Sequence, residues 1–169
     1  ALLCLCLLTT MAACGSGSSF RIIDTYSSEG SYVIAFRAGD RLCELVTAAM
    51  RVLADNGTLR SASYRWFGEN LVDIRGSSSA MDELWGEVGE RTVIVGIDTT
   101  NKPMSYASAA GYEGFDVDLA SYICGLLGWQ LSVYPIDPAD VDVELASGNI
   151  DMAMGIPETD VPMGFSSSP

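Results

Sequence analysis

The side chains of this chain that could do chemistry are nearly all acidic. Twenty-two Asp and Glu face nine Lys and Arg, with no histidine, for a net charge of −13. Lacking histidine, the chain lacks the commonest general base and metal ligand. Ser-His-Asp and Cys-His nucleophilic catalysis are therefore excluded within it. It holds no nucleophile elbow, no phosphate-binding P-loop and no CxxC pair. The acids Asp137, Asp140, Asp142 and Glu144 invite a calcium reading, but lack the glycine turn and regular oxygen spacing of a calcium loop. They read instead as the solvated start of a helix. A surface this negative repels phosphate backbones and anionic headgroups, so nucleic acid is not an expected partner. No metal, cofactor or catalytic set is expected.

The elements that must position these acids follow from the hydropathy pattern. Half of the residues are hydrophobic (49%) and 18% are charged, a globular composition. Residues 1–14, ALLCLCLLTTMAAC, form an apolar run ending in small residues, too short to span a bilayer and suited to a secretory signal. Its end, Met11-Ala12-Ala13-Cys14, resembles a bacterial lipobox, with Cys14 the lipidated residue, and Gly15-Ser16-Gly17 opens a tether over 15–30. Cys43 and Cys124 read as two small buried thiols, with a disulfide between them as the alternative.

Residues 31–36 predict a buried strand, with Asp40 capping a helix over 42–53 that stops at Asp55-Asn56-Gly57. Thr58 predicts the cap of a second helix running to Trp66-Phe67-Gly68. Gly76-Ser77-Ser78-Ser79 is a joint, and 81–90 a short helix. Thr92–Ile97 is a β-branched strand, 98–113 a loop, and 115–127 a helix with Leu119, Ile123 and Leu126 inward. A strand over 130–136, a helix over 141–146, a strand over 150–154 and a loop over 155–169 complete the pattern. Strands alternating with helices predict an α/β fold with a mostly parallel sheet covered on both faces. Ligands of such sheets sit beyond the carboxyl ends of the strands, here the segments starting at Asp98, Asp137 and Gly155.

Gly114-Phe115-Asp116-Val117-Asp118-Leu119-Ala120, followed by Ile123-Cys124 and Leu127, resembles the signature of extracellular solute-binding proteins of family 3, the amino-acid receptors of ABC importers. Val95-Gly96-Ile97-Asp98-Thr99-Thr100 is similar to the family's first strand and pocket loop. Leu145-Ala146-Ser147-Gly148-Asn149-Ile150-Asp151 is similar to the segment before its third strand, and Phe165-Ser166-Ser167-Ser168-Pro169 to its exit from the first lobe. The front half resembles the family's other end. Residues 32–40 look like the strand returning from the second lobe; Ala54–Leu59 with Tyr64-Arg65-Trp66-Phe67-Gly68 look like its terminal helix. The resemblance therefore implies one lobe of a periplasmic-binding-protein type 2 fold over 31–169, circularly permuted. On this reading 31–75 is the family's C-terminal part, 76–91 a connector and 92–169 its N-terminal part. Nothing resembles the second lobe, which leaves two expectations: a complete permuted first lobe, or a permuted two-lobe receptor whose second lobe lies beyond Pro169.

The resemblance also implies a function: an extracytoplasmic, lipid-anchored solute-binding component of an ABC importer. Its partners would be an amino-acid-like or other small polar solute, an ABC permease, the membrane through the anchor, and a second lobe or protein. The implied ligand-binding positions are Asp98, Asn101, Met104, Gly155 and Ile156, and the aromatic Tyr106 is a further candidate nearby, though not at the family's matching place. The family's aromatic clamp is replaced here, by Asn101, Met104 and Pro138, and residues 155–164 lack its carboxylate-forking arginine. That departure points to a cationic or neutral solute, or to a lobe that has lost solute binding. The alternative function is a lipoprotein interaction or sensory module. Some relatives carry lyase chemistry on acidic residues, for which Asp98 and Glu158 are the candidates here; the expectation is no enzyme.

Overall fold

A computed structural model of the chain describes residues 31–157, 160 and 165–168. The signal segment with Cys14, the tether up to residue 30 and Glu158 lie outside the described residues. Strand β1, Tyr32–Arg37, leads to helix α1, Arg41–Asp55, whose first turn is capped by the Asp40 carboxylate accepting from the Leu42 amide at 2.9 Å. Helix α2, Thr58–Phe67, starts after Gly57 rather than at a Thr58 cap: the Asn56 side chain takes the Thr58 amide at 3.0 Å. The helix expected over 81–90 is the single turn α3, Ala80–Glu83, followed by turns through Gly86 and Gly89, residues that disfavour helix.

Strand β2, Thr92–Ile97, enters the segment expected to be loop. It is instead a small antiparallel sheet of β3 (Thr100–Asn101), β4 (Ser105–Ser108) and β5 (Gly111–Glu113). The β4–β5 turn takes two residues, with the Ser108 hydroxyl accepting from the Ala110 amide. Helix α4, Phe115–Leu127, then strand β6, Gln130–Pro135, helix α5, Val141–Ser147, and strand β7, Met152–Pro157, follow. Inside the expected loop 155–169 lies a last strand, β8, Phe165–Ser168.

The main sheet runs β6-β2-β7-β1-β8. β2 is parallel to β6 and β7, while β1 is antiparallel to both β7 and β8, so the sheet is mixed. Alternation along β1 and β7 feeds two cores. Ile34, Phe36, Met152 and Met154 pack with α1, α2 and α4, and Ala35 and Ala153 pack on the other face with Val141 and Leu145 of α5. Ile156 breaks the alternation by joining the α5 side. Gly155 causes this: its φ of +68° is a left-handed kink in the strand, opposite a register shift between Val33 and Ala35 of β1. The strand expected to end at residue 154 thus runs on to Pro157, where a strand end tolerates proline.

Candidate functional site

Because β2, β6 and β7 are parallel, Asp98, Asp137 and Pro157 emerge at one edge of the sheet. The opposite sense of β1 brings Tyr32, paired with Pro157, to that same edge, and Ser168 at the end of β8 pairs with Ile34 nearby. Every route into or out of the described sheet on this side is therefore local to the candidate site.

Asp98 is half-buried, and its carboxylate is turned onto its own loop. Oδ1 accepts from the Thr100 amide at 2.8 Å and from the Thr100 hydroxyl at 2.7 Å. Asp137 does the same for the Ala139 amide at 3.0 Å, opening a 3-10 turn that leads into α5. Among the described residues neither carboxylate enters an ion pair. A shallow depression of about 400 Å³ opens after Asp137, lined by Pro138, Ala139, Val141, Asp142 and Asp160.

Asn101 lies in β3 opposite Ser105, and Met104 packs from the loop against the main core. Tyr106 is half-buried. Its ring meets Trp66 edge-on at 6.3 Å between centroids, its hydroxyl donates to Glu113 at 3.0 Å, and the Lys102 ammonium lies 4.2 Å from its centre. The Glu113 hydrogen bond pushes the phenol's pKa up. Gly155 and Ile156 lie in β7, with the Ile156 side chain buried and its backbone paired with Val33 of β1. Asp98 thus follows β2 and Gly155 lies in β7 of the main sheet, Asn101 belongs to the small sheet, and the Tyr106 ring serves the junction between the small sheet and α2.

The least expected residue is Asp116, in the first turn of α4. It is 2% exposed, and its Oδ2 has no hydrogen-bond partner. That oxygen lies against the bare Cα of Gly155, where a Cβ would collide with it. Burial pushes its carboxyl up to about 7, against a smaller opposing pull from the Ser105 hydroxyl. The sequence carried a signal for it: Asp116, Leu119, Ala120, Ile123 and Leu127 fall on one helical stripe, and all are buried. Leu126, expected inward, is half-buried, and Cys124 and Leu127 take that place.

Two close approaches seat α4 beside the edge. The Phe115 and Asp116 amides donate to the Pro103 and Met104 carbonyls at 3.0 and 2.9 Å. On its outer side Asp118 Oδ2 accepts from Trp66 Nε1 at 2.8 Å and pairs with Arg65 at 3.0 Å, and Phe67 packs on Phe115 at 5.1 Å. The front segment thereby clamps the loop that carries Asp98. Cys43 and Cys124 are separate thiols; burial pushes Cys124 up to about 11, leaving it unreactive. Among the described residues no group of three or more metal-ligating side chains gathers, and no helix is long and apolar enough to cross a membrane.

Residues 93–161 match the family model of bacterial extracellular solute-binding proteins, family 3. The match runs from β2 through β7 and so contains the three parallel strands and both loops described above. A comparison with curated proteins gives no match. Among solved structures, a Streptococcus pneumoniae ABC uptake transporter substrate-binding protein with bound histidine is 29% identical over 46% of this chain and 30% of its own, with a TM-score of 0.36. A polar amino acid ABC uptake transporter substrate-binding protein from Streptococcus thermophilus is 35% identical over 38% of this chain and 25% of its own, also at 0.36. An ancestral cyclohexadienyl dehydratase is 31% identical over 47% and 32%, at 0.36. The chain thus spans about a quarter to a third of the length of these structures.

Proposed function

We propose that this chain forms a solute-binding lobe of an extracytoplasmic ABC-importer receptor, taking an amino-acid-like or other small polar solute at the edge framed by Asp98, Asp137 and Gly155. The observation that carries the reading is the family match over 93–161, which coincides with the three parallel strands whose carboxyl ends meet at that edge. Main-chain groups at Gly155 and Ile156, the Asp98 carboxylate and the Asn101 amide are the polar groups that would hold the solute, with Met104 as apolar floor.

The same reading takes 31–75 as the family's C-terminal part placed in front, joined through 76–91. Its support is that β1, from outside the matched segment, inserts between β7 and β8 and completes the sheet. Two-lobed receptors signal by closing on solute, a hinge motion sensed by the permease. Here the permease, a partner lobe, and a lipid anchor at Cys14 that holds the protein outside the cell membrane are parts of the proposal. We read the site as a binder rather than an enzyme, since no histidine is at hand to act as general base.

Thermal melts against a panel of L-amino acids and polyamines test the function. A ligand binding the native state raises stability by RT ln(1 + [L]/Kd), about 2.7 kcal/mol at a hundredfold excess over Kd. The expected result is a rise in Tm with a cationic or neutral member, lost in Asp98→Ala. No shift with any member at millimolar concentration refutes the reading.

A further inference from the structure

One side of the main sheet keeps a row of main-chain groups without partners. β6 pairs with β2, and among the described residues no strand pairs with its other side. Successive residues of a strand direct their N–H and C=O groups to opposite sides. The Gln130 and Ile136 amides donate to the Arg91 and Ile97 carbonyls, on the β2 side. Even-numbered residues therefore serve β2, and Leu131, Val133 and Pro135 face outward. Pro135 has no N–H, and the Trp129 amide just before the strand is spent on the Cys124 carbonyl at 2.9 Å. Along this row Leu131 and Val133 are left offering a donor and an acceptor each.

Edge strands are usually guarded by charge, a bulge or a covering element. β6 has neither charge nor bulge: residues 130–136 are uncharged, and the strand keeps unbroken register with β2. Leu131 and Val133 are half-buried against the core under α4, while Gln130, Ser132 and Tyr134 are exposed on the opposite face. The spacing of the free groups selects the partner. When a second copy of β6 runs antiparallel about an axis through Ser132, Leu131 of each copy lies opposite Val133 of the other. Those pairs exchange every outward hydrogen bond. Pro135, with no N–H to give, falls opposite Trp129, whose N–H is already used. Ser132 meets Ser132, and Tyr134 lies across from Gln130, so no charge meets a like charge. That decides the occupant for a chain of net charge −13, whose surface at large repels a second copy. The half-buried Leu131 and Val133 also continue each core into the other copy.

We propose that two copies of this chain associate through β6, antiparallel about Ser132, and join their five-stranded sheets into one. The two-fold axis reverses the strand direction, so the two solute edges lie at opposite ends of the joint sheet. The association is independent of the function proposed above.

The test is sedimentation equilibrium of the whole chain from micromolar to millimolar concentration. The mass is expected to rise to that of two copies and stop there. A single-copy mass throughout overturns the proposal and leaves the edge to a strand of a different protein. A mass that grows past two copies also overturns it, because a head-to-tail contact such as β6 on β8 is then at work. Ser132→Lys changes an exposed side chain and lowers the net negative charge, yet sets like charges together on the axis. It is expected to weaken the pair at least about fivefold, while Ser61→Lys, exposed on α2, does not weaken it. An equal effect of the two overturns the proposal. Register is read with Ser132→Cys. Facing Cα atoms of a non-hydrogen-bonded antiparallel pair are about 4.5 Å apart, within disulfide reach. Mild oxidation is therefore expected to link the 132 peptides of two copies, identified by mass spectrometry. Gln130→Cys is expected to link with Tyr134→Cys in a mixture and not with itself. Self-linkage of Gln130→Cys, or no linkage through 132 in a sample of two-copy mass, places the contact elsewhere and overturns the proposal.

Discussion

Replacing Gly114 by alanine perturbs the junction on which the candidate site stands. Gly114 precedes α4 with φ +137° and ψ 173°, a backbone region almost reserved for glycine, where a side chain costs about 1–3 kcal/mol. The added Cβ also has nowhere to go. It lands on the Met104 carbonyl, with the Ser105 Cα at 2.7 Å, and both are backbone atoms that cannot turn aside. Forced overpacking of this kind adds about 1–3 kcal/mol. The expected loss is thus roughly 2–6 kcal/mol, a large share of the 5–15 kcal/mol typical of a domain. The assay is urea unfolding followed by tryptophan fluorescence, with Trp129 and Trp66 as buried and half-buried reporters. Gly125→Ala is the control: it lies in the same helix, with ordinary φ and nothing within 4 Å of its added Cβ, and should gain about 0.5–1 kcal/mol. A Gly114→Ala loss under about 1 kcal/mol, or the same sign for both variants, refutes the reasoning.

The carboxyl of Asp116 makes stability depend on pH. Its folded pKa lies above its unfolded one, so its stabilising contribution is complete below pH 3.8 and is lost as pH rises to about 7. At about 1.4 kcal/mol per unit the total is of order 4 kcal/mol, seen as a wild-type decline between pH 4 and 7 that Asp116→Asn lacks in paired melts. Asp118→Ala leaves the Trp66 indole N–H without its acceptor and should cost about 1.5–3 kcal/mol in urea melts, with a red shift in tryptophan emission. Asp151→Ala removes the acceptor of the Ile94 amide, at 2.8 Å, and the partner of Arg37, and a loss of about 2 kcal/mol is expected. Leu145→Ala opens a cavity in the small core under α5 and should cost about 2–5 kcal/mol by the same measurement.

Much of this architecture was legible in the residues. The periodic stretches at 42–53 and 115–127 became helices because their apolar stripes had a sheet to cover, and the β-branched run at 92–97 became the strand with neighbours on both sides. What escaped depended on partners distant in sequence. Gly155-Ile156-Pro157 reads locally as a break, and it is strand because β1 lies alongside it. Residues 98–113 are too polar and too short-ranged in pattern to announce three strands, since each is only two to four residues long. At the site, Asp98 was picked out by its place after a strand. Tyr106 was picked out by chemistry alone, and its ring was claimed by Trp66 and Glu113, contacts that no local pattern encodes. Asp116 was part of a quoted motif, but its burial became visible only once Gly155 was placed beside it.

The position of β1 has a consequence for how the molecule assembles. Its partners on both sides, β7 and β8, follow it only after α1 to α5 and β2 to β6 have been made. The apolar run Val33-Ile34-Ala35-Phe36 therefore leaves the ribosome long before anything that can pair with it has been made. High contact order of this sort slows folding and prolongs exposure of sticky segments. The central sheet therefore closes only when β7 and β8 arrive beside β1.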